Sequence, residues 1–303
     1  MPGLSHRIGI DSRRIGIDIG GTKIDAIVFD AAHEIIFEKR VDTPKDYLAM
    51  IKAVAGLVQE AGAGSVGIGA PGSAHPQTGL WRNSNYLVSN GKPMLNDLQA
   101  AIGRAIRIEN DANCFALSEA KDGAGAGYGV VAFFTIGTGL GGGLVVGGKI
   151  IRGANAEAAE FGHTSLPWMT QLDWPPVPCF CGKAGCAEMY VSGPGLIGDY
   201  KRIVGVELTG PEIIARARSG EAAADAALKR LQNRFVRICA QMLNVIDPDI
   251  FIMGGGLSSL PELVEELPPL ITPYTFSGSP VPRVARAKHG GNSGGRGAAQ
   301  LWD

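Results

Sequence analysis

Three of the chain's five cysteines fall within eight residues, Cys179-Phe180-Cys181-Gly182-Lys183-Ala184-Gly185-Cys186. The pattern C-x-C-x4-C contains two glycines that let the chain fold back, so three thiolates can meet at one ion. His163, 16 residues upstream of Cys179, is the natural fourth ligand. Three thiolates and one imidazole make a closed tetrahedral set for structural Zn²⁺. The rival reading is three reduced thiols in one loop, which is disfavoured because exposed reactive cysteines are a liability. Lys183 is the only cation between the first and last of these cysteines, so a nucleic-acid zinc ribbon fits worse still. Cys114 and Cys239 lie in helical patterns and read as core.

A second group of residues has the chemistry of phosphate. Asp18-Ile19-Gly20-Gly21-Thr22 puts a carboxylate at a strand end beside amides that glycines leave accessible. Such amides can cradle phosphate, Thr22 can add a hydroxyl, and Asp18 can hold Mg²⁺ through water. A plain Gly-Gly hairpin turn is the alternative. Gly137-Thr138-Gly139-Leu140-Gly141-Gly142-Gly143 formally matches G-x-G-x-x-G, which signals a dinucleotide fold only when a helix follows. Leu144–Val146 reads instead as a return strand, which argues against an NAD enzyme. Together with Gly254-Gly255-Gly256, the loops suit one triphosphate gripped from both sides.

Asn110-Asp111 follows a strand, where a carboxylate can take the proton of an attacking hydroxyl during phosphoryl transfer. An Asn-Asp helix cap is the competing reading. Two further polar clusters are Glu160-Phe161-Gly162-His163 and Cys186-Ala187-Glu188.

These residues need elements to hold them. Residues 14–19 and 23–29 read as a hairpin around Gly20-Gly21-Thr22, and 130–136 with 144–146 as a second hairpin. Residues 46–61 carry Leu48, Ile51, Val54, Ala55 and Val58 at helical spacing. Strands are expected at 65–70, 106–108 and 250–253, and helices at 114–121 and 294–301. The longest helix spans 222–246, with Leu228, Leu231, Phe235, Ile238, Met242 and Ile246 on one stripe. Residues 167–186, rich in Pro, Gly and Cys, read as a loop. Arg7–Asp11 spells RIGID as residues 14–18 do, but only the second copy leads into Gly-Gly-Thr, so the first is taken as an extension.

Length and composition bound the classes. The 303 residues suit roughly two domains. Hydrophobic residues at 45% and charged residues at 19% exclude global disorder. A formal net charge of −1 leaves no basic excess for nucleic acid. No long apolar run or signal-peptide core is apparent, so a soluble, cytoplasmic protein is expected. Strand–glycine–strand hairpins in two similar α/β halves, with no Pro/Ser/Gly linker, suggest halves packed over a cleft.

Taken in order, DIGGT at 18–22, ENDAN at 109–113, GTGLGGG at 137–143, EFGH at 160–163 and CFCGKAGCAE at 179–188 resemble the ROK sugar kinases. The resemblance spans nearly the whole chain. It implies an α/β, two-domain actin-like ATPase fold (ribonuclease H-like, hexokinase-type) with an interdomain cleft. It also implies ATP with Mg²⁺, a structural zinc and a homodimer. The smaller domain would take residues 1–113 plus a C-terminal helix at about 291–303, and the larger domain, with the zinc loop, 114–290.

Carried over by position, Asp111 matches the family's catalytic base, and Asn110, Glu160, His163 and Glu188 match its sugar-hydroxyl ligands. His163 would then serve zinc through one ring nitrogen and sugar through the other. Asp18, Gly20, Gly21, Thr22, Lys23, Thr138 and Gly139 match the phosphate loops, and Gly254 and Gly255 the adenosine side. His163, Cys179, Cys181 and Cys186 would hold the zinc.

The expected activity is transfer of the γ-phosphate of ATP to the 6-hydroxyl of a hexose. Residues 163–169 (HTSLPWM) and 289–302 (HGGNSGGRGAAQLW) resemble bacterial fructokinases, so fructose is the first expectation. NDANCFALSEA and DPDIFIMGGGLS resemble N-acetylglucosamine kinases equally well, which makes that sugar the alternative. Walls of the sugar pocket are expected from residues 73–90, where Ser73, Asn83 and Asn85 are candidates. A non-catalytic sugar-sensing regulator is a distant third reading, because only 17 residues precede Asp18 and both phosphate loops are present.

Overall fold

The structure, a computed structural model, describes residues 13–276 and 281–303. The first RIGID copy lies outside the described residues. The chain forms two compact units. Of the described residues, one contains 13–118 with 154–156 and 291–303; the other contains 119–153, 157–276 and 281–290.

In the first unit, β1 (Arg14–Ile19), β2 (Lys23–Phe29), β3 (Ile35–Asp42), β4 (Ser65–Ala70) and β7 (Ile106–Asn110) form one sheet in the order β3-β2-β1-β4-β7. The first three strands are antiparallel neighbours, and β1-β4-β7 are parallel. Short strands β5 (Ser73–Ala74) and β6 (Trp81–Arg82) pair separately. Helix α1 (Tyr47–Ala61) starts at Asp46, whose side chain accepts from the Ala49 amide at 2.9 Å, satisfying an amide that the helix itself leaves unpaired. Its buried stripe is Tyr47, Met50, Ile51, Val54, Leu57, Val58 and Ala61. Leu48 is therefore not a core position; at 65% exposure it lies off the stripe that Met50 and Leu57 define. Helices α2 (Met94–Ile102) and α3 (Asp111–Lys121) flank β7 in the chain.

The second unit repeats the sheet order. β8 (Val130–Ile136), β9 (Leu140–Val146), β10 (Lys149–Ile150), β11 (Ile250–Gly254) and β12 (Arg283–Arg286) run β10-β9-β8-β11-β12. Strand β9 begins four residues earlier than Leu144, because Gly141–Gly143 pair with β8 rather than turn. Gly142 has a packing reason to lack a side chain: a Cβ there would lie 2.4 Å from the Phe161 ring. Helices α4 (Gly193–Val204), α5 (Gly210–Arg218), α6 (Ala222–Ile246) and α7 (Pro268–Ile271) complete this unit. Helix α6 buries Leu228, Leu231, Phe235, Ile238 and Met242, and Phe134, Phe161, Phe235 and Phe251 meet beneath it.

Helix α8 (Ser293–Ala299) returns to the first unit and packs on β1 and β4. Its backbone touches the sheet directly: a Cβ at Gly16 or Gly67 would lie 1.8 Å from the Gly295 or Ala298 carbonyl oxygen. Trp302 anchors the end by donating to the Val66 carbonyl at 2.8 Å. Among the described residues, no helix is long and apolar enough to cross a membrane.

Candidate active site

In the first unit, β1 delivers Asp18 to the mouth of the β1–β2 turn. Gly20 donates to the Lys23 carbonyl at 2.8 Å, closing the turn and leaving Gly21, Thr22 and Lys23 exposed at its tip. Thr43 braces it, its hydroxyl donating to the Gly20 carbonyl at 2.7 Å and its amide to the Thr22 carbonyl at 2.9 Å. Burial pushes the Asp18 carboxyl up to about 7, with the charges of Asp111 and Asp25 adding to the rise and Arg40 opposing it. Arg40 itself pairs with Asp25.

Asp111 opens α3, where β7 ends. Burial raises its carboxyl, and hydrogen bonds from backbone amides, Ala112 at 2.9 Å among them, act against that rise. Asn110 caps the helix, its Oδ1 accepting from the Asn113 amide at 3.2 Å while its Nδ2 donates to the Gly72 carbonyl at 3.2 Å. The capping reading thus holds for Asn110 and leaves Asp111 in the first turn. Glu109 was not foreseen as a site residue. Its Oε1 accepts from the Asn110 amide at 2.8 Å and Asn113 Nδ2 at 3.1 Å, locking the turn that carries Asp111. A buried glutamate directly before Asn-Asp was the available signal.

The second unit carries the thiols. Ligand atoms of His163, Cys179, Cys181 and Cys186 all lie within 4.8 Å of one another. Cys181 Sγ is 3.5 Å from Cys186 Sγ, and Cys179 Sγ is 3.7 Å from His163 Nδ1. Ligands at about 2.3 Å (S) and 2.0 Å (N) around a tetrahedral ion would stand roughly 3.5–3.8 Å apart, so the donor set fits Zn²⁺. Gly182 and Gly185, at φ 85° and 82°, make the two left-handed turns of the loop. Cys179 then donates its amide to the Lys183 carbonyl at 2.8 Å, and Leu166 to Gly185 at 2.8 Å, which brings the 163–166 strip alongside.

Glu188 sits in the same cluster, with Oε1 3.5 Å from His163 Nδ1 and 3.3 Å from Cys179 Sγ. A Cβ at Gly139 would lie 2.9 Å from its Oε2, so the 137–139 turn and Glu188 are neighbours. Gly137 donates to the Gly139 carbonyl at 3.0 Å, exposing Thr138 at the tip. Glu160 is exposed, just before the short helical turn of Phe161–His163. Gly255 is exposed with φ 79° and is pressed on Ile136, whereas Gly254 is buried against the Phe133 ring. Packing alone therefore requires glycine at 254.

Pattern reading also missed the support of this loop. Arg234 and Arg237 of α6, each 2% exposed, clasp the Asp173 carboxylate at 2.8 and 3.2 Å. Arg237 also donates to the Pro167 and Trp168 carbonyls at 2.9 and 2.6 Å. Burial would raise Asp173, but the Thr170 amide, Arg234 and Arg237 outweigh it and hold the carboxyl below the ordinary range. Two arginines at i and i+3 on an otherwise apolar helix stripe were the signal.

A sequence profile of the ROK family matches residues 14–303. The chain belongs to the ROK family of sugar kinases. It is 42% identical over 296 residues to an N-acetyl-D-glucosamine kinase of Shigella boydii, covering 94% of this chain and 98% of that one. Among solved structures it is similar to the ROK hexokinase of Thermus thermophilus (TM-score 0.84, 29% identity, 95% of this chain and 96% of the other). It is also similar to a ROK glucokinase of Streptomyces griseus, whose structure contains glucose and AMPPNP (TM-score 0.76, 31% identity, 95% and 98% covered). The fold of this ROK protein is accordingly the two-domain, actin-like α/β ATPase fold.

Proposed function

We propose that the chain is an ATP-dependent N-acetyl-D-glucosamine kinase that phosphorylates the 6-hydroxyl. The observation that carries the choice of sugar is the 42% identity to a kinase of that specificity along 94% of the chain. Fructose, the first expectation, rested on two short stretches, and end-to-end similarity outweighs them.

In this reading the first unit supplies Asp18, Asn110 and Asp111, and the second Glu160, His163 and Glu188. Asp111 takes the 6-hydroxyl proton as the oxygen attacks phosphorus; its raised carboxyl makes it a stronger base than a surface aspartate. Asn110, Glu160, His163 and Glu188 hold sugar hydroxyls and fix the angle of attack. The turns Gly20–Thr22 and Thr138–Gly139, exposed at Gly21, Thr22 and Thr138, receive the phosphates with Lys23, and Gly255 offers backbone to the adenosine side. Asp18 would hold Mg²⁺ through water, and the ion would neutralise charge on the phosphates. Zinc, held by His163, Cys179, Cys181 and Cys186, would orient His163 and Glu188 without entering the chemistry. We further infer a homodimer acting in the cytoplasm, to be checked by light scattering and by fractionation.

A coupled ADP-release assay with Mg-ATP tests the reading, with N-acetylglucosamine, N-acetylmannosamine, glucose, mannose and fructose ranked by kcat/KM. N-acetylglucosamine is expected first. Fructose first would overturn the sugar while keeping the kinase, and silence on every sugar would favour a non-catalytic regulator.

A further inference from the structure

Asp18 stands between two glycines. On one side is Gly69, its partner in the parallel β1–β4 pair. A Cβ at Gly69 would lie 3.7 Å from Asp18 Oδ1, an ordinary contact, and 3.2 Å from the sulfur of the buried Cys114. On the other side is Gly294, in the first turn of α8. A Cβ there would lie 2.2 Å from Asp18 Oδ2 and 2.6 Å from its Cγ. A side chain at 294 would push the carboxylate from where it stands, because the atoms in its way are the far end of the Asp18 side chain.

The other close glycines of this contact differ in kind. Gly16 and Gly67 face carbonyl oxygens of α8, and Gly297 faces the Cys114 carbonyl, with a Cβ at 1.7 Å. Those are main chain against main chain: the first two seat the helix on the sheet and the third seats it on α3. Gly294 instead meets a side chain, and that side chain is the acid of the phosphate turn. Gly291, just before α8, meets nothing within 4 Å.

We propose that Gly294 is a positioning residue: its missing side chain leaves the space that the Asp18 carboxylate occupies, so that the C-terminal helix sets how this acid addresses the metal–nucleotide complex. The proposal rests on the reading of Asp18 given above. Burial and the charges of Asp111 and Asp25 already work against the ionised form of Asp18. A carboxylate displaced from its place in such surroundings loses its aim, and misplacement by about 1 Å can cost on the order of 10²-fold in rate.

The test is a double-mutant cycle on the full chain with Gly294→Ala and Asp18→Asn, followed by kcat, the Mg²⁺ concentration for half-maximal rate, and sugar affinity without nucleotide. Gly294→Ala is expected to lower kcat by roughly tenfold or more and to raise the Mg²⁺ requirement, with sugar affinity unchanged. In the Asp18→Asn background the same substitution should cost less than about twofold, since interacting sites are non-additive. Gly291→Ala should match wild type. Equal losses in both backgrounds, or a normal Gly294→Ala enzyme beside a crippled Asp18→Asn, would overturn the positioning role alone. A normal Asp18→Asn enzyme would instead remove the role of Asp18 itself, and the proposal with it. Should Gly294→Ala fail to fold, Asp18→Ala is expected to rescue it by freeing the space; a double variant that also fails to fold refutes the contact.

Discussion

Asp18 and Asp111 in the first unit, and Asp173 and Asp199 in the second, are acids withdrawn from solvent in units whose sheets share one strand order. The first pair is pushed upward by burial, and at Asp18 the neighbouring carboxylates add to the push while Arg40 opposes it. The second pair meets arginines: Arg234 bridges Asp173 and Asp199 at 2.8 Å each, with Arg237, Arg230 and Arg202 completing the network. A charge satisfied in this way fixes a loop; a charge left costly in the free protein is available to a proton or a metal. On the proposed function, the contrast separates structure-holding acids from reaction-bearing ones within a single chain.

The sharpest way to break this contrast is Asp111→Asn. Turnover should fall by about 10²–10⁴-fold, the range of general-base contributions, with the folded state intact by circular dichroism. Near-normal turnover would put Asp111 with the structural acids. Asp173→Asn should do the converse, destabilising the protein by about 3–5 kcal/mol in denaturant titrations, because Arg234 and Arg237 lose their buried partner. If stability were unchanged, the arginine network would not be what holds residues 167–174.

Removal of zinc sharpens the comparison on the side of the second unit. On the proposed zinc site, chelation should lower the melting temperature and weaken sugar binding together, because an ion there would fix both the loop and His163. Elemental analysis showing no zinc in fully active protein would refute this.

The smallest effect expected concerns pH. The folded-state carboxyl of Asp18 lies near 7 against an ordinary 3.8, so the folded protein binds the extra proton. Stability from this group therefore falls as pH rises from about 4 to about 7. Asp18→Asn should melt higher than wild type at pH 8 without Mg²⁺, and the gap should close as pH drops toward 4. A gap that persists at pH 4 would show that ionisation is not its cause.

The chain's local order made much of this legible. The thiol–imidazole cluster could be read because three of its donors lie in one loop, where only Gly182 and Gly185 need unusual backbone. The two glycine hairpins and the Asn110-Asp111 corner were likewise local. Other features were hidden because their partners are remote in the chain. Strand β3, although paired with its neighbour β2, is an exposed edge whose charged residues mute the alternation, and Leu48 misplaced the stripe of α1 because apolar type alone does not reveal which face is covered. Fructose was favoured from stretches that carry packing duties: Trp168 is held through its carbonyl by Arg237, and residues 294–299 pack on the sheet.

By itself, the sequence determined the donor types and their short-range spacing, and with them the chemistry of phosphate, proton and thiolate. Tertiary structure decided which acids are neutralised and which are left costly, because that depends on arginines and glycines brought from distant segments. Arg234 and Arg237 reach Asp173 only when α6 packs on its loop, and Gly294 reaches Asp18 only when the last helix lies against the first strand. Charge placement in a folded chain is set by packing, and packing is a property of the whole sequence at once.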